Sequence, residues 1–429
     1  MEKDNYICEY FQDIQNGTVT VGRWIELIYQ YIVDGLEQNR FFFDAEKANN
    51  VIDWIEHHCF HTEGPDAPNP LKLELWEKAF LSCLYGIVDE HGRRQFREVL
   101  LVIGRKNGKS KIASSIGAYE FQKGGYGSRV FCIAPKLEQA DLVYNDIWQM
   151  VQIDPEYKAE KERLSIRDEH NKKILDDSHL PRHRMSDLAI TGTNSTVKKI
   201  AFSAKKSDGF NPSLCVCDEI ASWEGDAGLK QYEVMKSGMG ARPEAILLSV
   251  TTSGYVNDSI YDELVKRSTR FLLGDSKETR LLPFLYMIDD VGKWNDIEEL
   301  KKSNPNLGRS IPFDYMKEEI AIAEGSLSRK SEFICKYCNL KQNSSLAWIS
   351  ADIIEKATGE PLDLESFRGC YCVGGVDLSR TTDLTAAVIV IQRDTNYMCS
   401  HGSGCHRNES KKRWRRTVCR ITFTFNADY

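Results

Sequence analysis

No apolar run in these 429 residues approaches the roughly 20 that a helical membrane span requires. The opening Met1-Glu-Lys-Asp-Asn5 lacks the apolar core of a secretory leader. Positive charge is not in excess either: 56 Lys and Arg stand against 63 Asp and Glu, a net of −7. That argues against a globally basic nucleic-acid binder, although local basic grooves stay open. Nor is there a disulfide framework. Of the 13 cysteines, several such as Cys132, Cys215 and Cys217 sit inside apolar strand-like runs, as reduced thiols of a cytoplasmic protein do. What remains, 41% hydrophobic and 28% charged, is the balance of a soluble globular chain long enough for two or three domains.

The chain is organised around one stretch. An apolar run over 99–103 has the length of a buried strand. It enters Gly104-Arg105-Lys106-Asn107-Gly108-Lys109-Ser110, and a helical pattern follows over 112–122. Strand, basic glycine-bearing loop and helix are the parts of a phosphate-binding loop. Backbone N–H groups and a helix N-terminus face the phosphates, a lysine reaches the outer ones, and a serine holds magnesium. The usual spacing is G-x-x-x-x-G-K-[ST]; here Gly104 is one residue too close and Ile103 takes the expected glycine place. The plain alternative is a basic turn.

Helical periodicity over 22–37 and 45–60 predicts a helical N-terminal region, 1–70, closed by the breaker Gly64-Pro-Asp-Ala-Pro-Asn-Pro70. A short amphipathic helix over 73–86 follows; its aromatic residues fill core or contact a nucleotide base. Beyond the loop, strand-like 129–134 and helical 137–151 begin an alternation that implies crossover units and a parallel sheet. Residues 154–187 are polar, with Lys158 to Arg163 and Pro181 to Arg184 charge-rich, and read as a solvated insertion or a nucleic-acid surface.

Three further signals carry chemistry. Pro212-Ser-Leu-Cys-Val-Cys-Asp-Glu-Ile220 is a strand ending in adjacent carboxylates. In a phosphate-loop NTPase, Asp218 holds magnesium and Glu219 polarises the attacking water. Glu244 to Gly254 is a strand ending in Thr251 and Thr252, hydroxyls at the sheet edge where α/β folds bind ligands; a polar turn is the alternative. Arg242, just ahead, reaches the nucleotide or lies on the surface. A helix is expected over 256–273, a strand over 279–288, a break at Asn304-Pro-Asn-Leu-Gly308, a helix over 314–338 and a connector over 340–363. Cys335 and Cys338 have the spacing of half a zinc site, but no second pair follows, so they read as helix-end cysteines. Finally, 369–391 reads as a β-hairpin bearing Asp377 and Asp383. Two carboxylates there fit a divalent-metal site for phosphodiester cleavage, or merely a polar turn.

Taken together, these motifs resemble the large terminase subunit of tailed bacteriophages, in particular the HK97-like type. Gly104 to Ser110 is similar to that family's deviant Walker A loop, Leu214 to Glu219 to its Walker B strand, Leu248 to Gly254 to its coupling motif, and Gly375 to Thr385 to the first strand and turn of its RNase H-like nuclease. The resemblance covers roughly 70–393 and implies an α/β fold: a phosphate-loop ATPase with a mainly parallel sheet, then the start of an RNase H-like nuclease. It implies a motor that uses ATP and Mg2+ to pump double-stranded DNA, with Mg2+ or Mn2+ serving the nuclease. Implied partners are a portal protein and a small terminase subunit, in a homo-oligomeric ring in the bacterial host cytoplasm, phage- or prophage-encoded and away from membrane. By the same resemblance Gly104, Arg105, Lys106, Asn107, Gly108, Lys109 and Ser110 bind the nucleotide, with Arg105 near the γ-phosphate. Ser110 and Asp218 hold magnesium, Glu219 activates water, Thr251 and Thr252 couple hydrolysis to motion, and Asp377 and Asp383 are nuclease metal ligands.

There are departures. Trp76 is followed by Glu77 where the family commonly has Gln, which puts adenine recognition there in doubt. Lys205, Lys206 and Asp208 stand where some relatives carry an arginine finger. From 394 the sequence has no strand or helix period, and Cys399, His401, Cys405 and His406 are irregularly spaced. The expected layout is thus a helical region 1–70, ATPase 71–300, helical linker 301–368, nuclease start 369–393 and an aberrant, frameshift-like tail 394–429, the nuclease being incomplete. The competing readings are another DNA-dependent translocase ATPase and a decayed prophage remnant that acts only as a scaffold.

Overall fold

Apolar strands that alternate with amphipathic helices must be covered on both faces, and the chain folds accordingly. The computed structural model describes residues 5–166, 175–201, 210–256, 259–342, 364–377, 384–393, 396–405 and 415–419. It comprises two units, Met1–Ser345 and Leu346–Tyr429.

In the first unit, helices α1 (Tyr6–Gln15), α2 (Arg23–Glu37), α3 (Ala45–His58) and α4 (Leu75–Gly86) precede the sheet, with a short antiparallel pair, β1 (Phe42–Phe43) and β2 (Ile87–Val88). Then come β3 (Glu98–Val102), α5 (Lys109–Lys123), β4 (Arg129–Ala134), α6 (Leu137–Ile153), α7 (Pro155–Arg163), β5 (Arg182–His183), β6 (Leu188–Ile190), β7 (Ser195–Ala201), β8 (Leu214–Asp218), α8 (Gly225–Gly238), β9 (Ile246–Thr251), α9 (Ile260–Leu272) and β10 (Leu281–Leu285). The sheet order is β10-β3-β9-β8-β4-β7-β6-β5. The first six are parallel, and β6 and β5 are antiparallel. Every residue of β3, β8, β9 and β10 is buried. The crossover from β3 through α5 to β4 leaves β9 and β8 between them, so the carboxyl ends of β3, β9 and β8 lie side by side.

In the 154–187 stretch, read as solvated, Asp154 caps α7 with Pro155 in its first turn, and α7 buries no residue, as its charge requires. Other sequence expectations are revised. The helix expected over 314–338 is two, α11 (Phe313–Glu324) and α12 (Leu327–Lys336), because Ser326 after Gly325 is extended. Together with α10 (Ile297–Lys301) they lie in the first unit, which runs past residue 300 to Ser345. Their own core includes Trp294, Leu300, Met316, Phe333 and Tyr337.

The second unit carries the expected hairpin, β11 (Cys372–Asp377) against β12 (Leu384–Arg393). The lack of regular structure expected from 394 is corrected. β13 (Asn396–Cys405) and β14 (Arg415–Cys419) extend the sheet in the order β11-β12-β13-β14, all antiparallel. Ladder hydrogen bonds run between backbones, so a strand can form on a neighbour without an apolar period of its own.

Candidate nucleotide site

Ile103 follows β3 and donates its N–H to Thr251 O. The loop then turns through two left-handed residues, Lys106 at φ +62° and Gly108 at φ +84°. Glycine takes that conformation freely, whereas for lysine it costs about 1–2 kcal/mol, so the surroundings must hold it. They do. Asn107 is fully buried, and its Nδ2 donates to Gly104 O (3.0 Å), Arg105 O (3.1 Å) and Asn304 Oδ1 (2.9 Å). Asn306 donates its N–H to Asn107 Oδ1 (3.0 Å) and its Nδ2 to Asn107 O (3.2 Å). Ser310 Oγ donates to Lys106 O (2.9 Å), and the Arg105 N–H donates to Lys336 O. Gly108 caps the N-terminus of α5, so Lys109 and Ser110 open that helix.

The charges meet at the same edge. Lys109 Nζ lies 2.9 Å from Glu219 Oε1. Asp218 ends β8, buried, and Glu219 turns out of the strand at φ +47°, its N–H donating to Asp218 Oδ1 (3.0 Å). Burial raises the Asp218 carboxyl, neighbouring Glu219 raises it further, and Lys109 offsets only part, leaving it at about 6. Two carboxylates therefore face one ammonium. Thr251 Oγ1 is 3.4 Å from Glu219 Oε2, donates to Thr252 O (2.6 Å) and accepts from Ala221 N (3.2 Å). Thr252 is buried. The next residue, Ser253, donates its Oγ to Cys335 O (2.8 Å) and its N–H to Asn339 Oδ1 (3.2 Å).

Other predicted residues are placed differently. The Lys106 ammonium sits 4.8 Å over the Tyr315 ring, and the Asn107 amide is used up within the protein. Arg105 is exposed at a cleft with Tyr315, Glu319, Glu332, Lys336 and Tyr337. Arg242 is not a nucleotide contact. It precedes β9, at the opposite end of the sheet from the loop, and its guanidinium binds Asn211 O, Asn211 Oδ1 and Gly127 O. Cys335 donates Sγ to Ser253 O (3.1 Å), and Cys338 is buried. Asp377 ends β11. Asp383, Lys205, Lys206, Asp208 and His406 lie outside the described residues.

Sequence reasoning missed Asn304 and Asn306, read there only as part of a chain break. Their signal was two asparagines around a proline, since asparagine in loops commonly bonds to backbone. It also missed the place of Glu77. One oxygen accepts from Glu74 N (2.8 Å) and caps α4, while the other lies 3.4 Å from where a Cβ on Gly108 would stand. Burial lifts this carboxyl to about 7.

Two family models match the chain: terminase large subunit, ATPase domain, over residues 75–270, and terminase large subunit, endonuclease domain, over 277–420. The second runs through both β13 and β14. The terminase large subunit of Lactococcus phage p2 is 23% identical over 365 residues, 82% of this chain and 62% of that protein. That of Enterobacteria phage HK97 is 25% identical over 358 residues, 81% and 63%. The chain thus spans just under two thirds of each. The crystal structure of the HK97 bacteriophage large terminase shares the fold, with TM-score 0.55 at 19% identity, over 83% of this chain and 67% of that one.

Proposed function

Because this chain belongs to the terminase large-subunit family, we propose that it is an ATP-driven DNA-packaging motor subunit whose hydrolytic site is the edge formed by Lys109, Asp218 and Glu219. The observation that carries this reading is the Lys109–Glu219 pair, 2.9 Å apart, beside a buried and under-neutralised Asp218.

The residues present fit magnesium–ATP. A left-handed glycine opens the helix, a lysine is at hand for phosphate oxygens, and Ser110 with Asp218 offers oxygen ligands to a hard cation. When bound, the ion neutralises phosphate charge. The chain's own residues do the rest. Lys109, drawn to a polyanion, releases Glu219, and the freed carboxylate orients and accepts a proton from water. Arg105 lies on the same loop as a cation for the outer phosphate. Thr251, bonded to both the Ala221 turn and Thr252, links the β8 end to the β9 end.

Asp377 and Asp383 are the proposed metal ligands of the second unit, whose activity would be magnesium- or manganese-dependent DNA cleavage. The portal protein, the small subunit, ring assembly and the host cytoplasm are the remaining parts of the reading. No helix among the described residues is long and apolar enough to cross a membrane.

DNA-stimulated ATP hydrolysis by the whole chain tests the motor reading against Lys109→Ala. Loss of turnover by at least about a hundredfold is expected, the scale of a removed transition-state contact. Equal rates in both proteins would instead favour a binding scaffold.

A further inference from the structure

The glycine at the start of this loop answers to another part of the chain. An added Cβ on Gly104 would lie 2.1 Å from Asn304 Oδ1 and 3.0 Å from Ser303 O. Its N–H already donates to Ser303 O (3.1 Å). The space that a side chain would need is taken by a side chain from just beyond α10.

Asn304 is fully buried and held on its other side: its Nδ2 donates to Leu300 O (2.9 Å) and Tyr337 O (2.8 Å). Asn306 is braced by Trp76, whose Nε1 donates to Asn306 Oδ1 (2.7 Å). Each amide therefore has one end in the scaffold and the other on the loop. The loop's left-handed Lys106 is tied at its own carbonyl by Ser310, and the next residue, Asn107, is tied to Asn304. Strained backbone persists where its neighbours over-determine it, and buried polar networks with every member satisfied impose one arrangement.

We infer that Asn304 and Asn306, acting through Asn107, are positioning residues of the nucleotide site. They dock the short loop onto the segment 303–310 and hold its backbone in the form that receives phosphates, and Gly104 is small in order to admit Asn304. The loop lacks the glycine of the usual spacing, and side-chain amides supply the shape that conformational freedom supplies elsewhere. The inference rests on the ATPase reading above.

The test is a double-mutant cycle on the whole chain, read as affinity for a fluorescent ATP analogue and as kcat and KM for ATP. Gly104→Ala lowers affinity at least tenfold. Asn304→Ala lowers it severalfold. In the double variant the two losses do not multiply, because the obstructing amide is gone. KM rises more than kcat falls. Asn306→Ala and the exposed Ser310→Ala, the milder changes, weaken binding in the same direction, and thermal melting confirms that each protein is folded. Losses that multiply in the cycle would overturn the inference. So would unchanged affinity in folded Asn304→Ala, Asn306→Ala and Ser310→Ala. If the unsubstituted chain binds no nucleotide, the ATPase reading itself falls, and this inference with it.

Discussion

The two ends of the central strands treat buried carboxylates in opposite ways. Glu98, where β3 begins, receives Arg267 Nη1 (2.8 Å) and Nη2 (3.1 Å), Lys236 Nζ (2.8 Å) and the Tyr232 hydroxyl (2.6 Å). Burial pushes this carboxyl up, but Arg267, Lys236 and Tyr232 outweigh it and hold it at about 2. At the other end, Asp218 and Glu219 share Lys109, and Asp218 rises to about 6. The first cluster is complete within the protein and serves stability. The second is short of positive charge, in keeping with the proposal that a cation and a phosphate chain enter there. Such displaced titrations gather at functional sites.

That contrast can be broken from either side. Glu219→Gln is expected to lower ATP turnover by about 10²–10⁴-fold, the weight of a general base, without lowering the melting temperature, because it relieves repulsion on Asp218. A destabilised protein with normal turnover per folded molecule would erase the distinction.

Arg267→Ala is expected to do the reverse. Glu98 loses its bidentate partner and Glu278 its ion pair, at a cost of roughly 3 kcal/mol in urea unfolding, while turnover per folded molecule stays within about twofold.

Acid titration sharpens the comparison further. Glu98 is held below its ordinary 4.5, so its contribution is complete above that pH and is lost as pH falls toward 2, about 3 kcal/mol in all. Glu98→Gln should flatten this limb of the urea-midpoint profile. Glu77, raised to about 7 beside the loop, has the opposite sign: its contribution is complete below 4.5 and is lost as pH rises through 7. Glu77→Gln should flatten that limb instead, and a variant that alters the wrong limb would refute the assignment.

The smallest effect belongs to Thr251→Val. It leaves Ala221 N without its acceptor, a loss of about 1 kcal/mol in stability, with a severalfold fall in DNA-stimulated turnover. A fall in basal turnover alone would argue against a coupling role.

Much of this was legible in the residues. Strands β3, β4, β8, β9 and β10 and helices α5, α6 and α9 follow from local apolar periodicity, whereas α7 and α8 do not; Asp218, Glu219 and Thr251 stand out at strand ends and Lys109 at the start of a helix. In a parallel sheet, strand ends are neighbours whatever the loops between them do. Arg242 illustrates the limit of nearness in sequence: it precedes β9 and so adjoins the strand's amino end, whereas the loop follows the carboxyl end of the parallel β3. β13 was hidden for another reason, since ladder bonding is indifferent to an apolar period.

The opening loop, its lysine and the paired carboxylates were determined by the sequence alone, because each is a local pattern with a local cause. Only the tertiary structure decided why that loop is short and why Gly104 is a glycine. The answer lies about two hundred residues away, in Asn304 and Asn306, and a side chain filling another residue's missing Cβ leaves no periodic trace in one dimension.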